Sequence, residues 1–314
     1  YILFGRDFDG KTKDEVVDDI HSYQNEADIP LLIGVDEEGG TVVRVSSNPN
    51  LRETPFLSPK DTYADGGWDA VKQDAEEKAD LLLSLGINVN LAPVCDMTSD
   101  EYGFMYDRSF SSDVDMENRY VRTVVESSKS KKLGTVLKHF PGYGNNSDTH
   151  TGIAYDDRDY SEFENTDFKP FYQGIESGAD CILVSHNIVN CMDSEYPASL
   201  SQKVHDILRN EFKFDGVIMT DDLIMDAITD LTGDEAAAVT AAKCGNDLLC
   251  CSSVDTQYPA VLEAVQNGEI PEAQVDASVK RILKWKQNLG IFNIDTYQKK
   301  VKSTEPTDTV GSEE

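Results

Sequence analysis

Seven short apolar runs separated by mostly helical stretches predict an α/β chain folded as a (β/α)8 TIM-like barrel. Near-continuous hydrophobic strands of this kind suit a parallel sheet covered on both faces. Five runs also end in polar, reactive residues: Asp36, Asp96, Lys138 with His139, His186, and Asp221 with Asp222. In a parallel barrel all strand C-termini converge on one face, so these groups would gather around one pocket. A doubly wound open sheet is the structural rival, but it would bind at a single switch point. No GxGxxG follows the first run, and GYGNN is too weak to stand for a phosphate loop.

In chain order the runs are YILFG (1–5), LLIGVD (31–36), INVNLAPVCD (87–96), TVLKHF (135–140), CILVSH (181–186), GVIMTD (216–221) and NDLLCC (246–251). Seven strands leave an eight-stranded barrel one short. The missing first strand is expected upstream of Tyr1, or in a segment with another apparent pattern. Between the runs, a helix is expected from Trp68 to Leu85, stopped by Gly86 and burying Ala75, Ala79, Leu82 and Leu83. Another should cover Glu117 to Lys132. Ser201 is a good N-cap for a helix that turns Val204, Ile207, Leu208 and Phe212 inward. The last helix, Pro271 to Leu289, places Val275, Val279, Ile282 and Trp285 at core spacing. A catalytic domain is thus expected over residues 1–295, and the polar, aperiodic residues 296–314 read as a disordered tail.

Composition narrows the function. With 39% apolar residues the chain can build a substantial core, while 58 acidic against 28 basic residues give a formal charge of −30. Such a charge repels nucleic-acid phosphates and anionic membranes, so a nucleic-acid partner is not expected. No apolar run is long enough to span a bilayer. The six cysteines have no zinc-ligand spacing and mostly sit in apolar runs, so they read as buried thiols, with neither metal site nor cofactor implied. Free thiols favour a cytoplasmic setting, and export stays open because YILFG already reads as a buried strand at residue 1.

The densest candidate stretch is KHFPGYGNNSDTH, Lys138 to His150. Asp148 and His150 are alternate residues of an extended loop, so the carboxylate can orient the imidazole and favour its protonated form, as a general acid requires. An Asx-type turn beside a surface histidine is the commoner origin of DxH. Asp221 can attack an electrophilic carbon; adjacent strand residues face opposite ways, so Asp222 is expected to cap instead. Asp36, in GVDEEGGTVVR, can reach sugar hydroxyls, and Arg44 and Arg108 can orient a polar ligand through fork-like donors. Lys138 raises the alternative of a Schiff-base lyase.

These motifs resemble the β-N-acetylglucosaminidases of glycoside hydrolase family 3. KHFPGYGNNSDTH is similar to their KHFPGHG…DSH signature, GVDEEGGTVVR to VDQEGGRVxR, and GVIMTDDLIMDAI to their nucleophile strand; LAPVCD and DRSF also match in place and order. The resemblance implies a retaining exo-enzyme on N-acetylglucosamine-containing carbohydrates. Asp221 would be the nucleophile, His150 the general acid/base and Asp148 its orienting partner. Asp36, Arg44, Arg108, Lys138 and His139 would hold the sugar. Phosphate could replace water as acceptor; a β-glucosidase and a non-catalytic sugar-binding barrel are the remaining alternatives. Three departures stand out: Tyr143 replaces a histidine, Thr41 replaces an arginine, and the Lys138–His150 loop is one residue shorter than the family pattern.

Overall fold

The computed structural model describes residues 1–145, 152–225, 228 and 233–298. Every one of the seven runs supplies a strand of a single parallel sheet. These are β1 (Ile2–Leu3), β2 (Gly34–Val35), β3 (Val89–Asn90), β4 (Gly134–Phe140), β6 (Cys181–Val184), β8 (Val217–Asp222) and β9 (Leu248–Cys250). Strands β5 (Tyr155–Asp156) and β7 (Ile188–Val189) pair in parallel as a separate ribbon. Spatial order in the main sheet follows chain order from end to end. A doubly wound sheet would reverse that order at its switch point. The rival fold is therefore excluded.

Residues alternate across the strands with period two. Val136, Cys181, Leu183, Val217 and Met219 enter one apolar cluster, together with Val89 and Leu91. Their neighbours Leu137, Ile182, Val184 and Ile218 enter another, against the helices. The sheet also curls: Ile2 of β1 and Leu248 of β9 pack on the same inner cluster as the middle strands. The result is a curled half-barrel with a filled interior.

The connecting helices are α1 (Lys13–Asn25), α2 (Pro59–Ser84), α3 (Val114–Ser130), α4 (Tyr160–Asn165), α5 (Phe168–Ser177), α6 (Gln202–Asp206), α7 (Asp234–Lys243), α8 (Val254–Gln266) and α9 (Glu272–Asn288). The helix expected from Trp68 is the second half of α2. Gly66 and Gly67 break the helical backbone just before it, Gly67 at φ +66. Its inward face is Ala75, Ala79 and Leu82, while Leu83 is only half-buried. Helix α3 starts three residues before the expected Glu117, because Asp113 accepts the Met116 N–H at 2.9 Å and caps it there. Ser201 caps α6 as expected, accepting from the Val204 N–H at 3.3 Å.

Helix α9 carries a narrower core stripe than its spacing suggested. Trp285 is buried, lying against Gly134 at the start of β4, where a Cβ would come within 3.1 Å of the indole. Val279 is 45% exposed. At about 100° per residue it sits roughly 120° around the helix from Trp285, beyond the sheltered face. Of the cysteines, Cys95, Cys181 and Cys244 are buried, Cys250 and Cys251 half-buried and Cys191 exposed, all as free thiols. Residues 294–298 form a helical turn in which Tyr297 packs on Phe292. No helix among the described residues is long and apolar enough to cross a membrane.

Candidate active site

Period-two alternation also decides which strand-end groups face inward. Asp221 follows Val217 and Met219 on the inner face of β8, and Lys138 follows Val136 on β4. Their charges are balanced across strands. Lys138 Nζ lies 2.6 Å from Asp36 Oδ1 and 2.6 Å from Glu38 Oε1. Arg108 closes a fork on Glu38, with Nε to Oε2 at 2.9 Å and Nη2 to Oε1 at 2.8 Å. Arg108 Nη2 also meets His139 Nε2 at 3.2 Å. A guanidinium only donates, so that nitrogen accepts, and His139 Nδ1 gives its proton to Asp96 Oδ2 at 2.7 Å. Buried ions of one sign would be prohibitive; alternating carboxylates and cations satisfy one another.

Protonation follows from this arrangement. Burial alone would raise the Glu38 carboxyl, but Lys138 and Arg108 hold it far below the ordinary carboxylate range. Burial likewise pulls Lys138 down, yet Asp36 and Glu38 leave it above its usual value as a firm ammonium. For Asp221, burial opposes ionisation, and the His186 imidazole, with the Asp222 N–H and the Lys138 ammonium, overcomes it and keeps the carboxyl below its usual value. Asp221 Oδ1 accepts the Asp222 N–H at 2.9 Å. Oδ2 has no hydrogen-bond donor among the described residues. Asp222 is committed elsewhere: it accepts from the N–H groups of Ile224 at 3.3 Å and Ser252 at 3.2 Å, and from the Ser252 hydroxyl.

The loops explain the motif residues around these groups. Glu37 is fully buried and takes the N–H groups of Arg44 (2.9 Å) and Val45 (2.7 Å), folding GGTVVR back on itself. Gly39, at φ +104, has no room for a Cβ because the Leu57 carbonyl oxygen occupies that space. Asp96 Oδ1 takes the Tyr143 N–H at 2.8 Å, and the Tyr143 ring stands edge-on to both His139 and Phe104. Downstream, Arg158 pairs with Asp156 at 2.8 Å and Asp167 at 2.9 Å and presses on Gly144, where a Cβ would meet its guanidinium at 2.8 Å.

Of the residues singled out in the sequence, Asp36, Arg108, Lys138 and His139 join one network, and Asp221 lies within the field of its basic members. Arg44 stands apart. Its backbone N–H is held by Glu37, and its Nε is buried without a hydrogen-bond partner among the described residues. Asp148 and His150 lie outside the described residues. No group of three or more His, Cys, Asp and Glu among the described residues is placed to hold a metal ion. Glu38, although visible in the EEGG motif, was not foreseen as the junction of the network.

Residues 1–285 match the model of the glycosyl hydrolase family 3 N-terminal domain. The chain belongs to glycoside hydrolase family 3. Within the family it is similar to the β-hexosaminidase of Hydrogenovibrio crunogenus, at 30% identity over 87% of this chain and 78% of that protein. The β-hexosaminidase of Nitrosomonas eutropha is 32% identical over 81% of this chain and 74% of its own length. Among solved structures, a family 3 β-N-acetylglucosaminidase from Paenibacillus sp. str. FPU-7 superposes with a TM-score of 0.86 at 28% identity. That match covers 99% of this chain, which spans 58% of the Paenibacillus chain. The family resemblance carried by KHFPGYG, GVDEEGG and GVIMTDD is borne out, and the chain is a glycoside hydrolase.

Proposed function

We propose that this chain is a retaining exo-β-N-acetylglucosaminidase that releases terminal β-linked N-acetylglucosamine from cell-wall fragments or related aminosugars. The observation that carries this reading is Asp221: an inward-facing carboxylate kept ionised among basic groups, with one oxygen uncommitted among the described residues. Asp221 attacks the anomeric carbon. Protonated His150, oriented by Asp148, gives its proton to the leaving oxygen, and a covalent glycosyl-enzyme forms through an oxocarbenium-like transition state. Neutral His150 then takes a proton from water, which releases the sugar with its configuration retained. Asp36, Lys138, Arg108, His139 and Arg44 hold the terminal sugar; in Arg44 a buried donor has no acceptor among the described residues and is open to one from the sugar. Residues 1–295 serve as the catalytic domain, and the curled sheet is most of an eight-stranded barrel.

A Schiff base on Lys138 requires a neutral amine. The two carboxylates 2.6 Å from Nζ oppose that state, so the lyase reading loses its chemistry. The test is release of a phenol from aryl β-N-acetylglucosaminide and from aryl β-glucoside, with and without phosphate. Preferential release from the aminosugar without phosphate is expected. A slow fluorinated N-acetylglucosamine analogue should esterify Asp221, and a label on Asp222 would overturn the choice of nucleophile.

A further inference from the structure

We propose that His186, backed by Ser199, is a positioning residue that fixes the Asp221–Asp222 segment and so aims the attacking carboxylate. This rests on the assignment of Asp221 as nucleophile. His186 lies just beyond β6, and both it and Ser199 are fully buried. The imidazole Nε2 is 3.0 Å from the Asp222 carbonyl oxygen. A carbonyl accepts and never donates, so Nε2 carries a proton and gives it to Asp222. Nδ1 lies 2.7 Å from Ser199 Oγ, and a hydroxyl serves either as donor or as acceptor. The ring can therefore hold one proton or two without losing either contact.

Both partners are themselves anchored. The Ser199 N–H donates to the Ser185 carbonyl at 3.0 Å and the Ala198 N–H to the Asn187 carbonyl at 2.9 Å, which lays the 3-10 turn Ala198–Leu200 over the end of β6. Asp222 is gripped at three points: His186 holds its carbonyl, Ser252 and Ile224 hold its carboxylate, and its N–H points to Asp221 Oδ1. A chain of contacts thus runs from Ser199 through the imidazole to the residue that gives the nucleophile its only hydrogen bond among the described residues. An apolar side chain of the same size would fill this space but could not grip the carbonyl.

Among the described residues, the charged and titratable groups facing Asp221 are His186 beyond β6, His139 and Lys138 from β4, Asp222 on its own strand and Cys250 from β9. Lys138 stays charged, and burial pushes the Cys250 thiol far above neutrality, so neither changes state in an ordinary activity assay. His186 is the strongest of the groups that favour the Asp221 carboxylate. Its loss raises the Asp221 value and moves the acidic limb of kcat/KM to higher pH.

The experiment compares His186→Phe, His186→Gln and Ser199→Ala in the full chain by three readouts: the rate of fluorosugar labelling at Asp221, the pH profile of kcat/KM on an aryl substrate, and Tm. His186→Phe should slow labelling about tenfold or more, as expected for a lost positioning hydrogen bond, and raise the acidic limb. The amide N–H of His186→Gln can still reach the Asp222 carbonyl, so labelling should recover to within a few-fold of wild type while the limb stays raised. Ser199→Ala should shift the limb the same way by less, and it carries the test if the phenylalanine variant does not fold. Variants that lose only Tm, with labelling and acidic limb unchanged, would show the imidazole to be packing and overturn the proposal. Wild-type enzyme that takes no label at Asp221 would instead refute the nucleophile assignment, and the proposal would fall with it.

Discussion

Replacing Glu38 with glutamine tests the buried charge network most directly. The carboxylate lies between Arg108 and Lys138, both largely buried, and Glu38→Gln would turn a neutral amide toward two cations. Removing one partner of a buried pair costs about 3–5 kcal/mol. Asp36 still holds Lys138 at 2.6 Å, which places the expected loss near the lower end. Unfolding entropy of about 2.1 cal/mol/K per residue, over 314 residues, gives roughly 0.7 kcal/mol/K, so about 3 kcal/mol lowers Tm by about 4–5 °C. The pH dependence has a definite sign. The folded Glu38 carboxyl is depressed, so its stabilisation is complete above the unfolded value of about 4.3 and disappears as pH falls toward the folded value. Calorimetric melts of both proteins should show the full gap at pH 7 and a smaller one at pH 3.5. A gap under about 1 °C at pH 7, or one of equal size at both pH values, would refute the view that Glu38 neutralises the two cations.

Other outcomes follow from the same geometry. His150→Ala should lose about a hundredfold or more on substrates with poor leaving groups but little on dinitrophenyl glycosides, which need no proton; equal losses would count against an acid role. Glu117 is fully buried, accepts the Ser111 N–H at 2.8 Å and has its carboxyl raised by burial, so its contribution falls as pH rises. Glu117→Gln should therefore match wild type in Tm at pH 4 and exceed it by about 1–2 °C at pH 8, given roughly 1 kcal/mol of relieved desolvation. Gly39→Ala forces a side chain against the Leu57 carbonyl at φ +104, and should cost about 2 kcal/mol or more and lower kcat/KM by shifting Glu38. Borohydride trapping on Lys138 with a carbonyl substrate should give no adduct.

The strands were legible because the central ones, β4 and β6, are buried on both faces, which leaves a run of apolar residues that no surface helix would show. Alternation along GVIMTDD was enough to separate the directions of Asp221 and Asp222. Partners across the fold were not legible in the same way. Lys138 and Asp36 are 102 residues apart, and Arg108 and Glu38 are 70 apart. Only the sheet order makes them neighbours, so Glu38 looked like one more charge in an acidic turn. Local capping shifted the start of α3, and Val279 looked like core because helical spacing does not reveal how wide the sheltered face is.

The strict agreement of strand order with chain order also bears on assembly. Each strand of the main sheet finds its partner in the preceding βα unit, so no pairing has to wait for a distant segment. A chain emerging from the ribosome could add one unit after another to a growing edge, keeping its relative contact order low for a parallel sheet. The ion network spanning β2 to β4 would then be in place before β8 arrives. Asp221 would arrive after it, beside an ion network already built.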